Sequence, residues 1–239
     1  MSIPFENKMN NKAFQNIFSV RILLLISLPV LISACVNLSG TRNNYTKTHS
    51  VVVEDKHAKY KGEVHTMLGG LGLFSKGMIT LRDSVAARYD IPAYNNIWYN
   101  AGDVTRVIAD NYHQQKDPRP IILVGHSLGA NEQIKVARNL NKLNIPVALL
   151  ITVDAVSQTI VPPNVHEAVN FYKSGYVPMF SGLKLRAVDP AKTHIENIDV
   201  TKLKGVGVNH FTIDKNPTVQ EMILEKIKKV VVNGKRKNA

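Results

Sequence analysis

The stretch IILVGHSLGANEQ, Ile121 to Gln133, decides how this chain is read. Four apolar residues in a row suit a strand covered on both faces of a parallel sheet. They run straight into Gly125-His126-Ser127-Leu128-Gly129, and a helix-compatible segment follows to about Leu140. A serine on so tight a strand-to-helix turn has a strained backbone, and glycine on either side removes the clashes that a side chain would cause. The turn would lift the Ser127 hydroxyl off the C-terminal edge of a sheet. The new helix would offer the unpaired N–H of Leu128 to a developing negative charge. His126 is expected to point away from the hydroxyl and support the turn.

Serine is a weak nucleophile at neutral pH, so the rest of the chain must supply a base and an acid. In this geometry the acid follows a later strand and the histidine comes last. Asp154 ends the apolar segment Leu149-Leu150-Ile151-Thr152-Val153, and His210 lies in Gly207-Val208-Asn209-His210-Phe211, before the last helix. Asp189 and Asp199 are rival acids, and His166 and His194 are rival bases. Asp214 reads as a cap or a ligand of backbone N–H groups, because Asp214-Lys215-Asn216-Pro217 opens a helix. The second oxyanion donor is expected from Gly69-Gly70-Leu71-Gly72, with Leu71 first and Gly70 next.

Around this centre the pattern alternates. Glu63–Met67 is a predicted strand, followed by a helix capped by Ser75 and running to about Tyr89. Asn96–Tyr99 is a predicted strand, followed by a helix capped by Asp103 and running to about Gln115. Val147–Val153 is a further buried strand. Ala168–Tyr172 and Lys184–Val188 are predicted short strands, His194–Val200 is another strand or an irregular segment, and a final amphipathic helix starts at Pro217. Alternation of this kind predicts a three-layer α/β/α fold with a mostly parallel sheet. Little chain is left for a lid: only about Ser157–Asn164 or Gly175–Gly182 could form one. Leu73, Phe74, Val156, Ile160 and Phe180 are candidates to line an open groove.

Residues 60–232 resemble the α/β-hydrolase fold through Gly125-His126-Ser127-Leu128-Gly129, Asp154 after the following strand, and Asn209-His210-Phe211. An acid one strand after the nucleophile is similar to the thioesterase and short-lipase branches. Gly70 to Met78 resembles the oxyanion-side loop of small bacterial members. The resemblance implies hydrolysis of an ester or thioester through an acyl-enzyme on a small or lipid-like substrate. A non-catalytic envelope protein that kept the fold is the alternative. No cofactor is implied. A metal is not expected either: the histidines are scattered and there is no His-Glu-x-x-His. The glycines lack the spacing of a phosphate-binding loop.

The N-terminus reads as export machinery. Lys8, Lys12 and Arg21 precede the apolar run Ile22–Ile32, which is shorter than the ~20 residues a spanning helix needs. Ile32-Ser33-Ala34-Cys35 resembles the lipobox of bacterial lipoproteins, which implies cleavage after residue 34 and acyl chains (palmitate-type) on Cys35. By the same resemblance, Val36 after the cysteine, in place of aspartate, implies the outer membrane, facing the periplasm. Residues 35–59 are a polar tether and residues 233–239 a basic tail.

The single cysteine excludes an internal disulfide. The full chain of 239 residues carries 30 Lys/Arg against 18 Asp/Glu, a net charge of +12. Cleavage would remove three basic side chains and Glu6, leaving +10. Such a surface favours anionic neighbours such as lipid headgroups. Nucleic acid is not expected, since no basic recognition helix or aromatic-interleaved patch accompanies the charge.

Overall fold

A computed structural model describes residues 59–70, 75–175 and 182–236, with the side chains of 233–236 excepted. The segments read as a signal peptide (1–34) and, up to residue 58, as a tether with Cys35 lie outside the described residues, as do Leu71, Leu73, Phe74, Phe180 and the end of the segment read as a basic tail.

The element order is β1 (Glu63–Leu68), α1 (Gly77–Tyr89), β2 (Ala93–Ile97), α2 (Ala101–Gln114), β3 (Ile121–His126), α3 (Leu128–Lys142), β4 (Val147–Val153), β5 (Ile160–Val161), β6 (Val165–Tyr172), β7 (Arg186–Ala187), β8 (His194–Asp199) and α4 (Pro217–Arg236). Six strands form one sheet in the order β2-β1-β3-β4-β6-β8, and every pairing in it is parallel. β5 and β7 pair in a separate two-residue ribbon.

Alternate side chains of each strand feed two cores. Val64, Ile122, Val124, Leu149 and Ile151 pack with Met78, Leu81 and Val85 of α1 and Val219, Ile223 and Ile227 of α4. Met67, Leu123, Val147 and Leu150 pack with Val104 and Ile108 of α2 and Ile134, Ala137 and Leu140 of α3. A sheet covered by helices on both faces explains the unbroken apolar runs of β3 and β4. The expected three-layer α/β/α fold, with a parallel central sheet, is thus observed. Among the described residues, no helix is long and apolar enough to cross a membrane.

Several element predictions shift. The second strand is Ala93–Ile97, earlier than Asn96–Tyr99. The strand expected over Lys184–Val188 shrinks to Arg186–Ala187. Ser75 and Asp103 are not helix caps. The caps of α1 and α2 are Lys76 and Asn100, neither with a side-chain cap bond. Asp103 lies inside the first turn and pairs with Arg106. No lid forms from Ser157–Asn164, where Asn131 Oδ1 accepts the N–H groups of Val156, Ser157 and Gln158 and ties the loop down onto α3.

Candidate active site

All six strands of the sheet run the same way, so the loops after β1, β3, β4, β6 and β8 share one edge. β3 sits between β1 and β4, which places the turn at Ser127 between the loops that follow those strands. Ser127 has φ 58° and ψ −124°, a conformation that costs a non-glycine residue about 1–3 kcal/mol. The surroundings enforce it. The Ser127 N–H is held by Val153 O at 2.9 Å, and its carbonyl accepts from Ala130 and Asn131 at the start of α3. A Cβ at Gly125 would stand 2.4 Å from Gly129 O, and one at Gly129 would stand 2.4 Å from Met67 O. Both glycines therefore permit a backbone approach that no side chain allows.

Asp154 follows β4 directly, also at positive φ (48°), with its N–H bonded to Phe171 O at 2.8 Å. His210 arrives from the far side of the sheet, after the 3-10 turn Val200–Lys202 and before a second one at Ile213–Lys215. Its Nδ1 lies 2.7 Å from Asp154 Oδ2 and its Nε2 lies 2.8 Å from Ser127 Oγ. A carboxylate only accepts, so Nδ1 carries the proton and the Nε2 lone pair faces the serine hydroxyl. Asp154 Oδ1 accepts the N–H of Lys173 at 3.2 Å, and the carboxylate is almost fully buried. Phe211, nearly half exposed, sets its ring edge-on to His210 with centroids 5.3 Å apart.

The rivals fall elsewhere. His166 and His194 lie at the starts of β6 and β8 and are exposed, which puts them at the opposite edge of the sheet. Asp189 closes a turn before β8 by accepting from Ala191 and pairs with Lys192. Asp199 shares the catalytic edge but is engaged by Ser174 and Thr201. Burial alone would raise its pKa; those hydrogen bonds outweigh it and bring the value to about 2.

His126 turns away from the hydroxyl, and both of its ring nitrogens are used. Nε2 is 2.9 Å from the carbonyl of His210 and Nδ1 is 2.8 Å from Ser75 Oγ, which also accepts the Gly69 N–H at 3.0 Å. Burial, with the charge of His210 adding to it, lowers the His126 pKa to about 3, so the ring is neutral at working pH. Ser75 was legible only as a local cap, because its partner lies 51 residues ahead. Asp214 likewise serves another helix: its Oδ2 accepts the N–H of Gly77 at the start of α1, while Asn216 caps α4 through Thr218 and Val219.

Of the two expected oxyanion donors, Leu128 opens α3 directly after the nucleophile, and Leu71 lies outside the described residues. Gly70, next in line, packs against Leu128: a Cβ on it would be 3.0 Å from Leu128 Cδ1. Of the expected groove residues, Val156 is half-buried and Ile160 is exposed in the β5 ribbon. A groove of about 680 Å³ along α4, lined in part by Pro217, Met222 and Lys229, involves no residue of this site. Among the described residues, no group of three His, Cys, Asp or Glu side chains could hold a metal ion.

No family model matches the chain, and no curated protein matches it in sequence. Solved structures do resemble it. A gene product of Listeria innocua aligns over 71% of this chain and 94% of its own, at 11% identity and a TM-score of 0.46. A protein of Xanthomonas campestris described as a candidate hydrolase of the alpha/beta superfamily aligns over 71% and 99%, at 13% identity and 0.42. The RedJ thioesterase of prodiginine biosynthesis in Streptomyces coelicolor aligns over 71% and 90%, at 9% identity and 0.43. At such scores the functional reading rests on the geometry of the site alone.

Proposed function

We propose that the protein is a serine hydrolase that cleaves a carboxylic ester or thioester through an acyl-enzyme. One observation carries the reading: a buried carboxylate, an imidazole and an elbow serine in line, at 2.7 and 2.8 Å. Ser127 Oγ attacks the carbonyl carbon while His210 Nε2 takes its proton. The same nitrogen then returns that proton to the leaving alcohol or thiol. Asp154 fixes the tautomer and stabilises the imidazolium. The N–H of Leu128, first in α3, serves as an oxyanion donor; the second donor in this reading is the N–H of residue 71 or 70. Water then repeats the sequence on the acyl-enzyme.

The tied-down loop after Asp154 supports an open site that takes a small or lipid-like ester. The lipobox-like sequence supports an acyl anchor on Cys35, in the outer membrane and facing the periplasm, and the net positive charge supports contact with an anionic lipid surface. A fluorophosphonate probe should label the wild-type protein and not Ser127→Ala, and labelled wild type should lose turnover on short acyl esters and thioesters. A folded protein whose serine never reacts would leave the non-catalytic reading. Metabolic labelling with an alkyne fatty acid should be lost in Cys35→Ser; retention of label there would remove the anchor.

A further inference from the structure

Ser75, His126 and the carbonyl of His210 form a chain that can run in only one direction. The His210 carbonyl can only accept, so His126 Nε2 carries the ring proton. His126 Nδ1 is then a bare lone pair, so the Ser75 hydroxyl must donate to it. The Ser75 oxygen in turn accepts the N–H of Gly69. Every donor and acceptor in the series has one role. The ring is buried and neutral, which keeps that order intact.

The elbow has supports besides this chain. The turn at Ser127 is held by Val153 O, by the first turn of α3 and by the two glycines. The His126 ring reaches out of the turn on both sides, to the loop after β1 and to the segment carrying the base. The first of these presses on the nucleophile: a Cβ on Gly69 would lie 2.8 Å from His126 O and 2.9 Å from Ser127 Cβ. The Gly69 N–H is engaged by Ser75 at 3.0 Å, so the chain of hydrogen bonds ends on the backbone that lies against Ser127.

We propose that Ser75 and His126 are positioning residues for the reaction, coupling the general base His210 to the backbone at Gly69, just after β1, so that both are placed on Ser127 as one unit. This rests on the acyl-transfer reading above. The His126 ring also lies beside the His210 ring, with centroids 5.0 Å apart.

The test uses Ser75→Ala, which cuts the chain at the loop, and His126→Asn, which keeps a polar group near Nδ1 and severs the link to the His210 carbonyl. Misplacement of catalytic groups by about 1 Å costs on the order of 100-fold. Each single variant should therefore lower kcat on p-nitrophenyl butyrate by roughly 10- to 100-fold with KM within about twofold. The double variant should be no worse than the poorer single one, since either change breaks the same chain. Independently of turnover, the low-field proton resonance of His210 Nδ1–H, visible in the wild type, should broaden in both variants. Unchanged kcat with an unchanged resonance would overturn the proposal, as would losses that multiply in the double variant. A wild-type protein that neither reacts with fluorophosphonate nor turns over ester refutes the hydrolase reading instead, and the resonance still decides whether Ser75 and His126 hold His210. If Ser75→Ala folds poorly, His126→Asn alone carries both readouts.

Discussion

Replacing Asp214 with asparagine should remove a pH-dependent penalty on stability. Asp214 is fully buried; Oδ2 accepts the Gly77 N–H at 2.9 Å, and Oδ1 is buried with no partner among the described residues. Burial raises its pKa to about 6, against the opposing pull of the Gly77 hydrogen bond and the charge of Lys215. The sign follows from linkage. The folded state holds this proton more tightly than the unfolded chain, whose aspartate titrates near 3.8. The stabilisation is complete below that value and is lost as the pH rises through about 6. A displacement of roughly two pH units corresponds to about 3 kcal/mol. The asparagine side chain would keep an oxygen for Gly77 but place an amide where Oδ1 lies, at a cost of about 1–3 kcal/mol if it stays unpaired. That cost is the same at every pH, so the decisive quantity is a difference. Urea denaturation of wild type and Asp214→Asn at steps from pH 4 to 8 should show the variant gaining about 3 kcal/mol relative to wild type across the window. Other carboxylates titrate in both proteins and cancel. Parallel stability curves would refute the reasoning and mean that Asp214 ionises normally in the folded state.

Two further changes test the site and the elbow. Asp154→Asn should lower kcat by about 10⁴-fold, the cost of the wrong histidine tautomer in a Ser-His-Asp triad, whereas Asp189→Asn should leave kcat on the same ester unchanged; the reverse order would return the acid to Asp189. Gly129→Ala would push a methyl group to 2.4 Å from Met67 O and 2.6 Å from Leu68 O. Urea unfolding should show a loss of at least about 2 kcal/mol, and a neutral result would mean that the elbow relaxes away from β1.

What the sequence conveyed was whatever depends on local pattern or on chain order. β3 and β4 are apolar throughout because helices cover both faces, and such runs are legible without knowing which helices. Gly125 and Gly129 are legible because the approach they allow is made within one turn and its neighbouring strand. The order Ser127, Asp154, His210 is legible because topology dictates where each loop emerges. What escaped was every polar group satisfied from a distance. Ser75 and Asp214 each look like a cap for the helix that follows, since local spacing is all a sequence offers. In the fold Ser75 bonds a histidine 51 residues later, and Asp214 caps a helix 137 residues earlier. β2 was misplaced because Ala93, Tyr94 and Asn95 are only half-buried at the sheet edge, so neither an apolar run nor a clean alternation marks them.

The same distinction explains why the base needs anchors that the nucleophile and the acid do not. Ser127 and Asp154 each extend a strand, and the sheet continues past the strand ends to hold them, through Val153 O and Phe171 O. His210 has no strand behind it. It lies after β8, the edge strand, and after a stretch from Val200 to Asn209 with only one 3-10 turn. Backbone bonds from Thr212 and Ile213 to Asn209 O close the turn around it, and side chains tie that turn to the rest of the fold. The His126 ring takes its carbonyl, Asp214 ties the following turn to the start of α1 through Gly77, and Gln220 donates to Gly77 O at 2.9 Å and to Asp214 O. Gly77 can accept this contact only because it lacks a side chain; a Cβ there would stand 2.1 Å from Asp214 O. All three ties lead back to the β1–α1 region or to the residue beside the nucleophile. The histidine reached last along the chain is thereby positioned by the start of α1 and by the residue beside the nucleophile.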